Sequence, residues 1–324
     1  MLEKITFQSF GQPQDVLEGK PYTASPLQEG EVRVRVLASP INPADVNYIQ
    51  GIYGIVPDLP AAAGMEGCGE IIESCADTLS VGDLVIFGQY NGVWASEVVC
   101  RPDALLKIPN DTPTEQAAML KVNPLTSWCM LTQFVDLPKG SWVIQNAANS
   151  GVGVCVIQIA KLLGLKTINL VRRDELIDDL VKLGGDIVLL DNAESISEIK
   201  QHAPQLALNA VGGDSALRLM DALAPEGIHV TYGAMSRRSL KVPNKFLIFK
   251  RIQLHGFWMT EWIKKQPREH VEEIYQLLAQ WMAQGDLTQP IDSKFPLGDI
   301  ISAVTRAQED KRQGKVMLMP QEKE

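Results

Sequence analysis

An apolar run followed at once by small residues is the feature of this chain best suited to hold a ligand. The run Trp142–Gln145 leads into Asn146–Gly153, which is rich in small residues, and the apolar-periodic segment Val154–Leu163 follows. This order predicts a strand, a tight turn and a helix start, where backbone N–H groups and the helix dipole can receive a pyrophosphate. The strict G-x-G-x-x-G pattern is absent, because alanine and serine replace its first two glycines and only Gly153 remains. Taken alone, the turn leaves open a strand–turn–helix unit that binds no ligand.

Two arginines at the end of the next predicted strand favour a turn that binds a ligand. The strand Thr167–Val171 is followed by Arg172 and Arg173, and Arg172 lies nineteen residues after Gly153. Folds that bind NAD usually place an acid here to hold the ribose 2′-hydroxyl, whereas an arginine accommodates a 2′-phosphate. Arginine pairs are common on surfaces, so Arg173 alone would decide nothing. At the spacing set by the fold, the pair predicts that the chain binds NADPH.

Length and charge exclude several classes of protein. The chain has 324 residues, enough for two domains, and 39 acids against 30 bases give a net charge of −9. Nucleic acid and anionic membranes need a basic footprint, so neither is expected as a main partner. No run approaches the 18 apolar residues of a membrane span, and the start lacks an apolar signal core or an arginine-rich leader. We therefore expect a cytoplasmic protein.

The cysteines and histidines do not predict a metal site. The five cysteines form no C-x-x-C pair, and their odd number and wide spacing argue against a disulfide framework and a structural zinc. None of the four histidines pairs with a cysteine or another histidine at ligand spacing. We expect most of these side chains to be structural, and they are Cys68, Cys75, Cys100, Cys129 and Cys155 with His202, His229, His255 and His270.

The chain divides into a β-rich start and an alternating α/β middle. Short apolar strands separated by Gly, Asp and Pro turns suggest a small barrel or sandwich, and they are Glu31–Ala38, Gly67–Ser74, Asp83–Phe87 and Trp94–Cys100. Two helices follow, Thr114–Leu120, with Thr114 as its N-cap, and Leu125–Phe134.

Six strands with helical crossovers then predict a doubly wound parallel sheet. The strands are Trp142–Gln145, Thr167–Val171, Asp186–Leu190, Leu206–Ala210, Ile228–Tyr232 and Gln253–Phe257, and the connecting helices include Val152–Leu163, Glu175–Leu183 and Asp214–Leu223. Beyond them we expect helices His270–Ala283 and Leu297–Gln308, with strands near Ser293–Pro296 and at Gly314–Met319.

A β-rich opening, a dinucleotide sheet and a returning tail resemble the medium-chain dehydrogenase/reductase superfamily. The resemblance implies an α/β fold with a discontinuous GroES-like catalytic domain, residues 1–121 with 264–324, and a Rossmann NADP-binding domain, residues 122–263. Zinc-binding branches carry Cys and His ligands where this chain reads Asn42-Pro43-Ala44-Asp45 and Gly64-Met65-Glu66. The chain therefore resembles a zinc-free branch, which lacks the metal that would polarise an alkoxide.

Within the zinc-free branches, long strings resemble the mitochondrial-type trans-2-enoyl thioester reductases. Quinone oxidoreductases share the architecture and the alanine-rich turn but resemble these strings less well. The strings are Ile41–Gly54, Asn149–Gly153, Tyr232–Met235, Phe246–Lys250 and Gly256–Trp258.

The resemblance implies a role for each candidate site residue. Tyr53 would donate a proton to the substrate, because a phenol is protonated at neutral pH and can act as a general acid. Asn123 would contact the nicotinamide half of NADPH, and Lys315 would reach the cofactor from the returning tail. The remaining expected contacts are Asn149, Ser150, Gly151 and Val152 on the pyrophosphate, Arg172, Arg173 and Asp174 on the adenosine ribose phosphate, and Tyr232, Gly233, Ala234, Met235, Phe257, Trp258 and Met259 at strand carboxyl ends.

The resemblance, with the predicted NADPH site, implies an NADPH-dependent reductase of the C2=C3 bond of enoyl thioesters, carried on CoA or acyl carrier protein. Such an enzyme is usually a homodimer in this branch. Two alternatives stay open: an NADPH:quinone or enone reductase, in which Tyr53 would be dispensable, and an NADPH-binding structural or regulatory protein that transfers no hydride.

Overall fold

The structure is a computed structural model that describes residues 2–88 and 92–321. Its strands, in chain order, are β1 Leu2–Phe7, β2 Leu17–Tyr22, β3 Val32–Pro40, β4 Ala61–Ala62, β5 Cys68–Ser74, β6 Leu84–Phe87, β7 Glu97–Cys100, β8 Leu105–Lys107, β9 Trp142–Gln145, β10 Lys166–Val171, β11 Ile187–Leu190, β12 Leu206–Asn209, β13 Ile228–Thr231, β14 Gln253–Gly256, β15 Ile291–Phe295 and β16 Lys315–Leu318.

The helices are mostly short and connect these strands. They are α1 Pro13–Val16, α2 Pro43–Ile49, α3 Thr114–Ala118, α4 Asn123–Thr132, α5 Gly151–Leu162, α6 Ile177–Leu183, α7 Ser195–Lys200, α8 Gly213–Ala222, α9 Asn244–Ile248, α10 Met259–Lys264, α11 Arg268–Gln284 and α12 Ile300–Gln308. Short 3₁₀ turns lie at Pro102–Ala104, Asp174–Leu176 and Leu297–Asp299. No helix in the described ranges is both long and apolar enough to cross a bilayer.

The contacts divide the chain into two compact units. Unit 1 consists of Met1–Val122 and Glu269–Glu324, and unit 2 is Asn123–Arg268. The sequence predicted a catalytic domain of residues 1–121 with 264–324 and a cofactor-binding domain of residues 122–263. These limits stay a prediction.

Unit 1 is built on mainly antiparallel sheets over one apolar core. One sheet has the order β15-β16-β3-β5-β6-β8, with β7 also paired to β3, and a smaller one has the order β2-β1-β4. Strand β3 is central, and its alternate residues Val32, Val34 and Val36 are fully buried. The tail strand β16 joins β3 antiparallel, with Met317 opposite Pro40, so the end of the chain completes a sheet that its beginning starts.

Unit 2 is an all-parallel sheet in the order β11-β10-β9-β12-β13-β14. The apolar runs predicted as strands form it because a sheet covered by helices buries both faces of its inner strands. Ile144 and Ile168 are accordingly inaccessible to solvent. The order reverses between β9 and β12, which confirms the doubly wound fold; ligands in such folds bind outside the strand carboxyl ends at that point.

Several local predictions were wrong or incomplete. Thr114 is not the N-cap of α3: Pro113 takes that position and Thr114 begins the helix. The strand expected from Trp94 begins only at Glu97. Strands β1 and β2 and helix α2 were not anticipated, because their short stretches mix polar with apolar residues and carry no clear periodicity.

Candidate functional site

The turn after β9 in unit 2 has the geometry of an anion site at a helix start. Ser150 is the N-cap of α5, and its hydroxyl accepts a hydrogen bond from the Gly153 amide at 3.1 Å. The amides of Gly151 and Val152 are in the first turn, where no intrahelical acceptor exists for them. Asn149, just before the cap, is exposed. The twelve-residue helix adds its dipole behind these donors.

Gly153 is required by the close approach of α5 to the turn. An added Cβ at this residue would lie 2.5 Å from the carbonyl oxygen of Ala148 and 2.7 Å from its Cα. Both are backbone atoms, so they cannot turn aside as a side chain could. The remaining glycine of the pattern therefore does what its position predicts, which is to let the helix pack against the strand end.

Tyr232 presents a buried hydroxyl beside this turn. Its oxygen is buried and has no hydrogen-bond partner within residues 2–88 and 92–321. Burial raises the pKa of the Tyr232 phenol well above its ordinary value, and interaction with the Ser150 side chain offsets part of that rise. A buried hydroxyl without a partner is costly, so this oxygen is a ready contact for a bound ligand.

Two asparagines that the sequence reading missed lie at the switch point of the sheet. Asn146 follows β9 and donates to Oδ1 of Asn209, the last residue of β12, at 2.9 Å and to the Ser215 hydroxyl at 2.8 Å. Oδ1 of the Asn146 side chain accepts from the Ala210 amide at 2.8 Å. Both asparagines are fully buried. Their signal in the sequence was a polar residue at the end of each of two otherwise apolar strands.

The end of β10 carries the residues expected at the adenosine ribose phosphate. Arg172 is exposed and makes no ion pair with any residue that the structure describes. Arg173 pairs with Glu175 at 3.0 Å, and Asp174 accepts the Glu175 amide at 2.9 Å as it starts a 3₁₀ turn. An exposed ion pair contributes about 0–1 kcal/mol, so a phosphate could displace Glu175 from Arg173. Arg172 is the better placed of the two arginines to receive an anion.

The segments after β13 and β14 leave the same edge of the sheet. Gly233 and Ala234 follow β13, and the Met235 amide donates to the Ala210 carbonyl at 2.9 Å while its side chain is 57% exposed. Phe257 follows β14 and stacks edge-on against Phe134, with ring centroids 6.0 Å apart.

Trp258 and Met259 form the start of α10. Trp258 is its N-cap and remains 37% exposed, and Met259 is half-buried. A half-exposed indole at a strand end offers an apolar face to a ligand.

Asn123 is tied to the pyrophosphate turn through one serine. It is buried in the first turn of α4. The Ser127 hydroxyl lies 2.8 Å from the Asn123 carbonyl oxygen and 3.0 Å from that of Val152. Two residues predicted to contact the cofactor are thus brought to the two sides of one hydroxyl.

Tyr53 lies in unit 1, in the loop that follows α2. The loop is well anchored: the Gly51 amide donates to the Tyr48 carbonyl at 3.1 Å and the Ile52 amide to that of Asn47 at 3.0 Å. Gly51 has φ +72°, and a Cβ there would lie 2.8 Å from the Phe10 ring. Tyr53 itself is half-buried and packs against the core. The positive φ of Gly51 therefore serves a tight, hydrogen-bonded turn.

Lys315 lies in a buried polar cluster of unit 1, which we call the Glu66 cluster: Asn42, Asp45, Glu66, Lys121 and Lys315. All five are less than 10% exposed. The Lys315 ammonium donates to Oδ1 of Asn42. The structure therefore places the side chain of Lys315 against α2, a contact that the sequence reading did not anticipate.

The charges of the Glu66 cluster are strongly affected by burial. Burial raises the pKa of Asp45 to about 7, although the amides of Asn42 and Met65 oppose the rise. Burial also raises the pKa of Glu66, against the nearby Lys315 charge. Burial lowers the pKa of Lys121 to about 8, while Glu66 and Asp45 act in the other direction. Two acids and two lysines thus balance one another inside the unit.

Among the described residues, no group of three or more His, Cys, Asp or Glu side chains could hold a metal ion. Cys68, Cys100, Cys129 and Cys155 are buried, Cys75 is exposed, and none of the five is in a disulfide within the described residues. Asn42 belongs to the Glu66 cluster, and the Met65 carbonyl accepts from the Lys121 ammonium of that cluster. These two residues lie in the segments where the zinc-binding branches carry their ligands. That the protein works without zinc stays a prediction.

Comparison with known proteins agrees with both units. A family model described as the alcohol dehydrogenase GroES-like domain matches residues 28–110, and one described as zinc-binding dehydrogenase matches residues 151–280. The mitochondrial enoyl-[acyl-carrier-protein] reductase of Rattus norvegicus is 41% identical over 312 residues, which is 93% of this chain and 84% of that protein. Its counterpart in Homo sapiens is 40% identical over the same shares.

Solved structures give the same picture. The mitochondrial 2-enoyl thioester reductase Etr1p/Etr2p heterodimer from Candida tropicalis has a TM-score of 0.89 and 30% identity, covering 98% of this chain and 99% of that one. A complex of Etr1p with NADP and crotonyl-CoA matches equally well. A quinone oxidoreductase from Pseudomonas syringae has a TM-score of 0.87 and 26% identity, over 99% of this chain and 100% of that one.

A GroES-like unit joined to a doubly wound parallel sheet defines a medium-chain dehydrogenase/reductase. Within that superfamily, the chain belongs to the enoyl-[acyl-carrier-protein] reductase family, as the identities over almost its whole length establish.

Proposed function

We propose that this protein reduces the C2=C3 bond of trans-2-enoyl thioesters with NADPH. The observation that carries the proposal is a set of donors in unit 2 that suits a dinucleotide phosphate: the first-turn amides of α5, the buried Tyr232 hydroxyl and Arg172, which makes no ion pair with any described residue. Family membership supplies the substrate class, because the relatives are named for an enoyl thioester carried on acyl carrier protein. When bound, NADPH supplies the hydride that adds to Cβ of the substrate.

The residues of unit 2 would hold and orient the cofactor. The Asn149–Val152 turn receives the pyrophosphate, and Arg172 with Arg173 and Asp174 borders the 2′-phosphate. Tyr232, Gly233, Ala234 and Met235, with Phe257, Trp258 and Met259, line the strand ends where a nicotinamide and an acyl chain need apolar walls. Asn123 supports the nicotinamide half. Lys315 remains a proposed cofactor contact from the tail, although its ammonium is engaged with Asn42.

Tyr53 would complete the reaction as the general acid. Addition of hydride to Cβ leaves the electron pair of the double bond shared between Cα and the thioester oxygen. The phenol O–H of Tyr53 donates its proton to Cα, the new C–H bond forms, and the phenolate regains a proton from solvent. Neither an external oxidant nor a metal is needed to balance this step.

An acceptor screen tests the function directly. NADPH oxidation is followed by absorbance with crotonyl-CoA and with a quinone, for the wild type, Tyr53→Phe and the control Tyr22→Phe. Tyr22 is a suitable control because its hydroxyl serves structure, donating to the Glu97 carbonyl at 2.7 Å. We expect crotonyl-CoA turnover to fall by about 100-fold or more in Tyr53→Phe, as loss of a general acid costs, and to change little in Tyr22→Phe.

Two results would contradict the proposal. Good quinone turnover with none for crotonyl-CoA, unaffected by Tyr53→Phe, would favour a quinone reductase, whose structural relative matches this fold. Tight NADPH binding without hydride loss to any acceptor would favour a structural or regulatory protein.

A homodimer is proposed from the edge of the unit 2 sheet. Strand β14 lies at that edge, and all four of its residues are exposed. Nearby in the chain, Ile248 is 62% and Phe249 is 79% exposed. An open edge with adjacent apolar side chains fits isologous pairing with a second copy. Sedimentation should give twice the chain mass for the wild type and a shift towards monomer for Phe249→Glu; a wild-type monomer contradicts it.

The sequence and the names of the relatives point to different compartments. The cytoplasm expected from the sequence remains a prediction, and the curated relatives are named as mitochondrial. Imaging of the full-length tagged protein in its own cell decides between the two.

A further inference from the structure

We propose that Glu66 is a positioning residue for Tyr53. Its carboxylate fixes Asn42, the N-cap of α2, and α2 leads directly into the loop that contains Tyr53. The inference rests on the proposed function, in which Tyr53 is the proton donor. It concerns contacts within unit 1 only. It assigns the Glu66 cluster a role in the reaction and not only in the stability of unit 1.

The carboxylate of Glu66 is fully buried, and each oxygen has a partner. Oε1 accepts from the Val122 amide at 2.7 Å, and Oε2 accepts from Nδ2 of Asn42, also at 2.7 Å. The backbone around it is held as well, since the Ser39 hydroxyl donates to the Glu66 carbonyl. A carboxylate held in this way has no freedom to turn.

Glu66 and Lys315 together fix the orientation of the Asn42 side chain. A carboxylate can only accept and an ammonium can only donate, so the amide must point Nδ2 to Glu66 and Oδ1 to Lys315. The Asn42 backbone amide is fixed in turn, because it donates to Oδ2 of Asp45 at 2.7 Å. The other oxygen of Asp45 accepts from the Met65 amide at 2.9 Å.

The path from Asn42 to Tyr53 is short and rigid. Asn42 is the N-cap of α2, and Pro43 at the first helical position has a preset φ. Tyr48, near the end of this helix, is buried against Phe7 with ring centroids 5.9 Å apart. The Gly51 and Ile52 amides donate hydrogen bonds to carbonyl groups of α2, so the backbone is held up to the residue before Tyr53. A rotation at the helix start would therefore displace the phenol.

The substitution Glu66→Gln breaks this path while conserving shape. The glutamine amide has one oxygen for two donors, so its N–H₂ group must face either Nδ2 of Asn42 or the Val122 amide, and either clash displaces the side chain that orients Asn42. Asn42 could turn over only by facing its own N–H₂ to the Lys315 ammonium. The same substitution also leaves an excess positive charge in the Glu66 cluster. Adding Lys121→Met removes that excess charge without restoring the lost acceptor oxygen, so it separates positioning from charge balance.

A double-mutant cycle with Tyr53→Phe tests the proposal. For Glu66→Gln, and for Glu66→Gln/Lys121→Met, kcat for crotonyl-CoA at saturating NADPH should fall by about 10-fold to about 100-fold, as displacement of a catalytic group costs, with KM changed by less than about threefold. In the Tyr53→Phe background the same change should cost little more, because Glu66 acts through Tyr53. Glu70→Gln is the matched control, a partly exposed glutamate paired with Arg35.

Three outcomes overturn the proposal while leaving the proposed function intact: an unchanged kcat in Glu66→Gln, losses that multiply in the Tyr53→Phe background, or recovery of both kcat and melting temperature on adding Lys121→Met. Full activity of Tyr53→Phe alone would instead overturn the proposed function, and this inference with it. If Glu66→Gln is too unstable to assay, the charge-balanced double variant is carried through the same cycle.

Discussion

Because of His229, the stability of unit 2 should decrease as the pH is lowered, and replacing this one residue should remove that decrease. The residue lies on β13 between Ala207 and Leu254, it is fully buried, and neither ring nitrogen has a hydrogen-bond partner in the described part of the chain. Burial lowers the pKa of His229 to about 4, and interaction with its own backbone acts in the opposite direction. The folded protein therefore holds a neutral ring where the unfolded chain binds a proton.

The sign and size follow from this difference. An unfolded histidine has a pKa of about 6.5, so between pH 6.5 and 4 the unfolded state binds more protons and stability is lost as pH falls. A shift of one pKa unit corresponds to about 1.4 kcal/mol, so the full loss is on the order of 3 kcal/mol and about 2.5 kcal/mol is reached by pH 4.5. Above about pH 7.5 the ring contributes almost no pH dependence.

Urea unfolding of the wild type and of His229→Leu at pH 7.5, 6, 5 and 4.5 measures the effect. Other groups also titrate in this range; Asp45, with its pKa raised to about 7, gains stability as pH falls. Both proteins share those groups, so the difference between them isolates His229. We expect the variant to gain on the wild type by about 2.5 kcal/mol across the series. Parallel curves would refute the burial of a neutral, unpartnered ring.

The turn and the phosphate contacts give three further predictions. Gly153→Ala should lower the free energy of unfolding by about 1–3 kcal/mol and weaken NADPH binding, because its Cβ meets backbone at 2.5 Å, whereas Gly256→Ala, with nothing nearer than 4.0 Å, should do neither. Tyr232→Phe should leave the cofactor-free protein as stable or up to about 1 kcal/mol more stable while weakening NADPH binding by about fivefold to tenfold; unchanged affinity would mean that the hydroxyl does not meet the cofactor. Arg172→Ala should weaken NADPH binding by about 10-fold to 150-fold and NADH binding little, measured by fluorescence titration, and equal losses would contradict a role at the 2′-phosphate.

The sheet of unit 2 could be predicted because its signal is local. Buried parallel strands read as continuous apolar runs, and each of the six predicted runs overlaps an observed strand, although the ends moved by one residue in several cases. Helices α5 and α8 were also found within a residue of their bounds. Thr114 shows where local reasoning fails: a threonine is a good N-cap, but the proline before it took the position and pushed Thr114 into the helix.

The Glu66 cluster could not be predicted because its contacts are distant in sequence. Asn42 and Lys315 are separated by 273 positions, and Glu66 and Val122 by 56. A glutamate or lysine on its own reads as a solvated surface residue, and only the fold shows that these are buried together. The resemblance to a family predicts roles for Tyr53 and the phosphate turn, but it gives no reason why Asn42 and Glu66 should contact each other.

The interleaved order of the two units has a consequence for synthesis on the ribosome. Unit 2 is one continuous stretch, so a nascent chain can complete it as soon as Arg268 has emerged. Strand β3, although made first, still lacks its neighbour β16, and the apolar side chains of Val316 and Leu318 that fill its core are not yet made. Unit 1 therefore remains incompletely folded while unit 2 folds. A stop codon after β14 would leave the early half with an open sheet edge, a natural target for chaperones and proteases.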